Sequence, residues 1–352
     1  MLEQLMQTAV QYIDTAMVGS LGTRATAAVG ATSTVNWLIG STISALSVGF
    51  LSFIARSCGA GDEESAKRSV SQSVLVTAVT GVIFTALTLG LSGYVPVWMQ
   101  VEQSIQALAA WYFFILYLPM LPRTASIIFG TVLRAAGDTK TPMKIGVVVN
   151  LINVVLNFLL IYPARPVRML GISFTMPGAG MGVIGAAVAS AVAFTVGGIC
   201  ITAVVWRHPR ISPKGQSFRP DARILGPCLQ VAFPNMLQRF GTSLGYVAFA
   251  SMINSLGELS TAAHTIANTV ESAFYIPGYG MQTAAATLAG NAYGAHDENR
   301  MKELAAMFIP IEIGLMIVSG GALFLLAPGL MRIFSSSEDV ILLGSTVLRM
   351  VA

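Results

Sequence analysis

Long apolar runs broken by short polar junctions organise this chain. No charged residue occurs from Thr26 to Ile54, from Ser69 to Val101, from Ile145 to Tyr162 or from Gly171 to Trp206. A hydrocarbon core of about 30 Å takes ~20 helical residues to cross, so each run reaches or approaches a crossing. Ten helical spans are predicted from the runs and the loop signals between them: 1–19, 27–56, 67–94, 105–133, 143–162, 181–206, 226–254, 261–291, 304–328 and 339–352. The longer ones must tilt or bend, and Pro119, Pro122, Pro234, Pro277 and Pro310 are the expected kink sites. Glycine recurs inside the runs, which suits close helix packing in lipid and would weaken a soluble helix.

Composition agrees with the pattern. Of 352 residues 54% are hydrophobic and only 10% charged, with a mean hydropathy of +0.71. So few charges cannot coat a soluble domain of this size. The fold class is therefore an all-α, polytopic membrane protein whose first partner is the lipid bilayer. The net charge of +4 is no nucleic-acid signal, because the basic residues lie in the junctions. Cys58, Cys200 and Cys228 have neither paired nor metal-ligand spacing. No cleavable leader is expected, since Asp14 interrupts the first apolar stretch and no basic segment precedes it.

With the N-terminus placed in the cytoplasm, Arg56, Lys67, Arg68, Arg134, Lys140, Lys144, Arg207, Arg210, Lys214, Arg219, Arg223, Arg300 and Lys302 lie inside. Arg24, Arg165, Arg168 and Arg332 lie outside. This excess of inner positive charge sets the expected orientation.

Sliding the chain against itself by 235 residues brings matching residues into one ungapped register. Ser20-Leu21-Gly22 falls on Ser255-Leu256-Gly257, Thr26-Ala27-Ala28 on Thr261-Ala262-Ala263, and Thr34-Val35 on Thr269-Val270. Gly59-Ala60 falls on Gly294-Ala295, Asp62-Glu63 on Asp297-Glu298, and Lys67 on Lys302. An even number of spans separates the copies, so they are expected to be parallel repeats about an axis near the membrane normal. The expected organisation is a first bundle over 1–206, a basic cytoplasmic linker over 207–223, and a second bundle over 224–352. By this register the second copy ends at the equivalent of residue 117, so two pseudo-symmetric six-helix bundles are expected, the second incomplete and the first span clipped.

Several motifs resemble those of the multidrug and toxic compound extrusion transporters. They are Ile13-Asp14-Thr15-Ala16-Met17-Val18-Gly19 in the first span, Gly59-Ala60-Gly61-Asp62 after the second, and Leu133-Arg134-Ala135-Ala136-Gly137-Asp138-Thr139-Lys140-Thr141-Pro142 between spans four and five. The likeness continues in Ala262-Ala263-His264-Thr265-Ile266-Ala267 and Ala289-Gly290-Asn291-Ala292-Tyr293-Gly294-Ala295. It covers essentially the whole chain. It implies two six-helix bundles around a central cleft in the bacterial cytoplasmic membrane. It also implies export of amphipathic, often cationic small molecules in exchange for H⁺ or Na⁺, with no other cofactor and no metal. A monomer is expected.

Asp14 is the only charged residue between Glu3 and Arg24, roughly 8 Å below the outer end of its helix at about 1.5 Å per residue. A carboxylate at such depth costs about 2.5–3.5 kcal/mol on insertion scales and is seldom kept without a use. Asn150, Asn153 and Asn157 follow at spacings of three and four, on one helical face of span five. Their amides suit a hard cation or the Asp14 carboxyl. The resemblance implies that Asp14, Asn153 and Asn157 form the ion-coupling site, with Ser190 a further member by position. Some family members carry an acid where this chain has Asn157, which leaves the site less negative here and puts sodium binding in doubt.

In the second half Glu271 is the only acid between Glu258 and Asp297. Register pairs it with Asn36, and the two are expected to face each other across the cleft as a substrate or proton-relay site. His264, Asn268 and Tyr275 share the helical face of Glu271, and Gln238 lies near the inner start of span seven. Arg123, beside Pro122, is expected to face the cavity or an acid on another helix. A lipid-linked oligosaccharide flippase of related ancestry is the alternative, but it would need several basic residues for a pyrophosphate, and only Arg123 and Arg239 are candidates. An intramembrane enzyme would need paired aspartates or a Ser/His dyad, whereas Asp62 and Asp297 are isolated copies of one position; no enzyme is expected.

Overall fold

The computed structural model describes residues 10, 13, 14, 17–99, 101–169, 172–334 and 337–352. Residues 10, 13, 14 and 17–19 of the first expected span are helical. The helices that follow are α1 (Thr23–Gly59), α2 (Glu63–Leu91), α3 (Val95–Trp98), α4 (Gln103–Tyr117), α5 (Met120–Ala135) and α6 (Lys140–Ile161). A hairpin of β1 (Pro163–Met169) and β2 (Ile172–Ala179) leads to α7 (Gly182–Arg207), α8 (Ala222–Asn254), α9 (Glu258–Gly294), α10 (Glu298–Phe334) and α11 (Glu338–Val351).

These elements track the predicted spans, with two departures. Span four is not one helix: α4 and α5 meet at 51°. Pro119 at the break has φ −86° and ψ 41°, and its ring and missing N–H weaken a helix at that point. Pro234 and Pro310, also expected kink sites, lie inside unbroken helices, and α9 runs on through position 277. The second departure lies between spans and leaves the all-α class standing. The junction after α6 is an antiparallel hairpin pairing Arg165 with Met176 and Met169 with Ile172. Three prolines between 163 and 177 hold their preceding residues out of the helical region and favour extended chain.

Among the described residues, five helices are long and apolar enough to cross a membrane, or six if the bent α4–α5 pair is one span. Helices α8 and α9 match them in length, but Asn235, Gln238 and Arg239 on one and His264, Asn268 and Glu271 on the other dilute their hydropathy. Outward faces are apolar: Val82 is 61% exposed, Ile317 68% and Leu325 76%. Exposure of that kind over many helices fits a lipid-facing surface.

One core gathers side chains from Met17 to Cys228, and a second gathers side chains from Ala263 to Leu348. Small residues on α7 bring its neighbours close. A Cβ on Gly185 would lie 2.5 Å from the Leu160 carbonyl oxygen of α6, and one on Gly198 would overlap Pro122 of α5. The linker is strapped down, with Ile211 fully buried in the first core. The Ser71 hydroxyl donates to the Ser217 carbonyl at 2.7 Å, and Gln72 donates to the Arg219 carbonyl at 2.9 Å.

The 235-residue register recurs as backbone geometry. Gly22 and Gly257 begin α1 and α9 at φ 103° and 99°, both with ψ 174°. The Ala60 N–H donates to the Arg56 oxygen and the Gly61 N–H to that of Cys58, and in the same way the Ala295 N–H donates to Asn291 and the His296 N–H to Tyr293. Gly61 and His296 follow at φ 71° and 53°. That left-handed conformation is easy for glycine and uncommon for histidine. Asp62 then accepts from Ser65 N–H and Asp297 from Arg300 N–H, each at 2.9 Å.

The same ends of α1 and α9 pack on each other reciprocally. A Cβ on Gly59 would run into the Asn291 backbone, and one on Gly294 into the Arg56 backbone. In the register Gly59 corresponds to Gly294 and Arg56 to Asn291. Ala55 and Gly290 also correspond, and a Cβ on Gly290 would stand 2.9 Å from that of Ala55. Residue i on j, with the equivalent of j on the equivalent of i, is the signature of a two-fold contact. Cys58 lines a cavity of about 410 Å³ in this seam, with Arg210, Asn291 and Asp297.

The seam should be sensitive to bulk. With Cys200 and Cys228 replaced by Ser, Gly294→Val is expected to force the two ends apart and raise the maleimide labelling rate of Cys58 several-fold. An unchanged rate would contradict the contact.

Asp138 opens α6, its Oδ1 accepting from the Thr141 N–H at 3.0 Å. Burial raises this carboxyl, but the hydrogen bonds of Thr141 and the nearby His208 outweigh it and hold it below the usual aspartate value. With the folded pKa below the unfolded one, the cap's contribution is complete above the unfolded value and is lost as pH falls through the folded one. Asp138→Ala should therefore cost about 1 kcal/mol at neutral pH and little in strong acid, as read by thermal unfolding.

Candidate functional site

Asp14 is met by span five, as its spacing predicts. Asn153 and Asn157 lie one turn apart on α6 and are 7% and 1% exposed. Asn157 Nδ2 donates to Asp14 Oδ1 at 2.5 Å. Turned with its nitrogen toward Asp14, the Asn153 amide donates at 2.9 Å to Oδ1 and 3.1 Å to Oδ2, while its oxygen accepts from the Ser190 hydroxyl at 3.1 Å. Asn157 Oδ1 is buried without a partner among the described residues. Ser190 reaches this network because the small α7 surface lets α7 lie against α6. Asn150 is half-buried and makes no hydrogen bond with Asp14 among the described residues.

A second polar cluster lies deeper in the same half. Asn36 Oδ1 accepts from the Tyr117 hydroxyl at 2.9 Å and from Arg123 Nη2 at 2.7 Å. The Arg123 guanidinium carbon stands 5.3 Å from the Tyr117 ring centre and 4.8 Å from that of Phe194. Asn36 thus finds hydrogen-bond partners at the α4–α5 break.

In the second half the Tyr275 hydroxyl donates to Glu271 Oε1 at 2.9 Å, and Tyr246 of α8 hydrogen-bonds Asn268 beside Glu271. His264 lies edge-on to Phe249, ring centres 5.4 Å apart, and its Nε2 is buried without a partner among the described residues. Gln238 is exposed and its backbone carbonyl accepts from the Thr242 hydroxyl. Arg239 Nε donates to Asn235 at 3.2 Å. Sequence reasoning passed over Glu312 of α10, whose Oε1 lies 3.1 Å from where a Gly278 Cβ would be. The signal was present, since Glu312 is the only acid between Glu303 and Glu338.

No cluster of His, Cys, Asp and Glu suited to a metal occurs among the described residues. The arrangement offers instead a lone carboxylate under amide donors, a guanidinium below it, and a second acidic group across the molecule. These are elements of ion and small-molecule binding.

Comparison with known proteins agrees on one family. The MatE family model matches residues 1–159 and 234–352. A probable multidrug resistance protein NorM of Thermotoga maritima is 28% identical over 339 residues, covering 96% of this chain and 71% of that protein. A probable multidrug resistance protein YoeA of Bacillus subtilis is also 28% identical, covering 93% and 68%. A MATE crystal structure in complex with MaD5 superposes with a TM-score of 0.87 at 25% identity, covering 99% of this chain and 76% of that one.

The amide grip on Asp14 has an energetic consequence. Asn157→Leu should cost about 1.5–3 kcal/mol, the usual value of a hydrogen bond to a charged group, and adding Asp14→Leu should recover part of that loss. Thermal unfolding of the purified single and double variants checks both. A double variant weaker by the full sum would contradict the pairing.

Proposed function

Because this chain belongs to the MatE family, we propose that it exports amphipathic, often cationic small molecules from bacterial cells in exchange for an ion taken up at Asp14. The observation that carries this reading is the lone Asp14 carboxylate under the amides of Asn153 and Asn157. An isolated carboxylate in an apolar phase changes its proton or cation occupancy as its surroundings open and close.

The donor set favours the proton. A carboxylate needs N–H donors, whereas a protonated carboxyl needs an acceptor. A primary amide offers either by rotating, and Asn157 holds an unpartnered buried oxygen in reserve. Sodium would require several oxygens around one formal negative charge, and Asn157 supplies no second carboxylate. In this account Asp14 takes a proton from the outside, the Asn157 amide turns its oxygen to it, and substrate is released from the first half. The seam of Ala55 and Gly290 then parts, the cleft faces the cytoplasm, and the proton leaves as new substrate binds. The excess of basic residues at the seam end supports a cytoplasmic placement for that end and for the N-terminus.

Proteoliposomes test the reading. Efflux of ethidium is expected under an imposed H⁺ gradient and not under an imposed Na⁺ gradient, and Asp14→Asn should lower it at least ~10-fold, as for loss of a group worth about 1.4 kcal/mol or more. Normal pumping by that variant would remove Asp14 from the mechanism. Efflux driven by Na⁺ alone would replace the proton by sodium.

A further inference from the structure

Arg123 is a half-buried cation, its Nη1 buried, that ion coupling leaves unused. Phe194, over which it lies, is close to the middle of α7, twelve residues from Gly182 and thirteen from Arg207. The guanidinium therefore stands near mid-depth, where a charge is costly and is normally paired or used. Its neighbours are neutral: two aromatic rings and the Asn36 oxygen. No carboxylate pairs with it among the described residues, whose ion pairs involve Glu63 and Glu64 at the other end of α2. Its Nη1 is buried and has no partner among them. Asn36, whose oxygen takes two bonds, keeps its amide N–H groups.

The cluster thus holds a guanidinium with no carboxylate in contact among the described residues, an unmade N–H bond and a second donor beside it. A guanidinium meets a carboxylate with directed, charge-assisted bonds, and stacked rings hold it in place for that purpose. Ser190 and Phe194 are one turn apart on α7, so Arg123 lies one turn deeper than the network of Asp14, Asn153 and Ser190. The first half therefore presents a carboxylate above and a guanidinium below, with aromatic walls at the lower site. We propose that Arg123 and Asn36 form a subsite for the carboxylate of a zwitterionic amphipathic substrate whose cationic end points toward Asp14. The proposal rests on the export reading and adds the class of molecule that the first half would prefer.

The test compares norfloxacin, which carries a carboxylate and a piperazinium, with its decarboxylated analogue, which keeps the ring system and the cation. Binding of each to the purified full-length protein is measured by fluorescence. The native protein is expected to bind norfloxacin at least ~10-fold more tightly than the analogue. Arg123→Gln should remove this preference by weakening norfloxacin alone, and Arg123→Lys should restore part of it. Equal binding of the two compounds by the native protein would overturn the subsite, whether or not any variant folds. An equal loss for both compounds in Arg123→Gln would also overturn it, since that marks a structural role. Binding of neither compound by the native protein would overturn the subsite, and ethidium efflux under the H⁺ gradient would separately decide the export reading.

Discussion

A carboxylate kept in an apolar phase must be met by donors, and much of the first half is arranged so that Asp14 is. Two asparagines one turn apart on α6 supply the donors, and Ser190 of α7 closes the network behind them. Those side chains meet because α7 is lined with small residues, Gly185, Ala186, Ala189, Ala193, Gly197 and Gly198 being buried there. Helices in lipid gain little from hydrophobic association and depend on close backbone approach and polar contacts. The glycine and alanine face that packs the first half is therefore also what builds its site.

The second constraint is the reciprocal seam. Positions related by the 235-residue register can share a contact there only where they are small enough to face each other. Gly59, Gly294, Ala55 and Gly290 meet that condition at one end of α1 and α9. The seam brings the backbones of α1 and α9 together at one end of each helix. The halves have nevertheless diverged chemically. One sets a carboxylate over a guanidinium, and the other gathers Glu271, Tyr275, Tyr246 and Asn268, with Glu312 on the helix that packs against α9.

Much of this was legible in the sequence because the governing patterns are local or periodic. Uncharged runs placed the spans to within a few residues, and the three- and four-residue spacing of the asparagines put Asn153 and Asn157 on one face. The repeat register anticipated the matching caps at Gly22 and Gly257. What escaped depends on packing between distant segments. The break at Pro119 lets Tyr117 and Arg123 reach Asn36, and no local pattern encodes that encounter. The prolines between 163 and 177 could have signalled extended chain, and Glu312 stood alone in an apolar run as plainly as Asp14 did.

The central claim is that Asp14 exchanges its proton for substrate. Ethidium added in saturating amount to the purified protein in weakly buffered solution, with a pH indicator present, measures this directly. The account predicts release of about one proton per chain from the native protein and none from Asp14→Asn. No release from the native protein, or the same release from the variant, would contradict it.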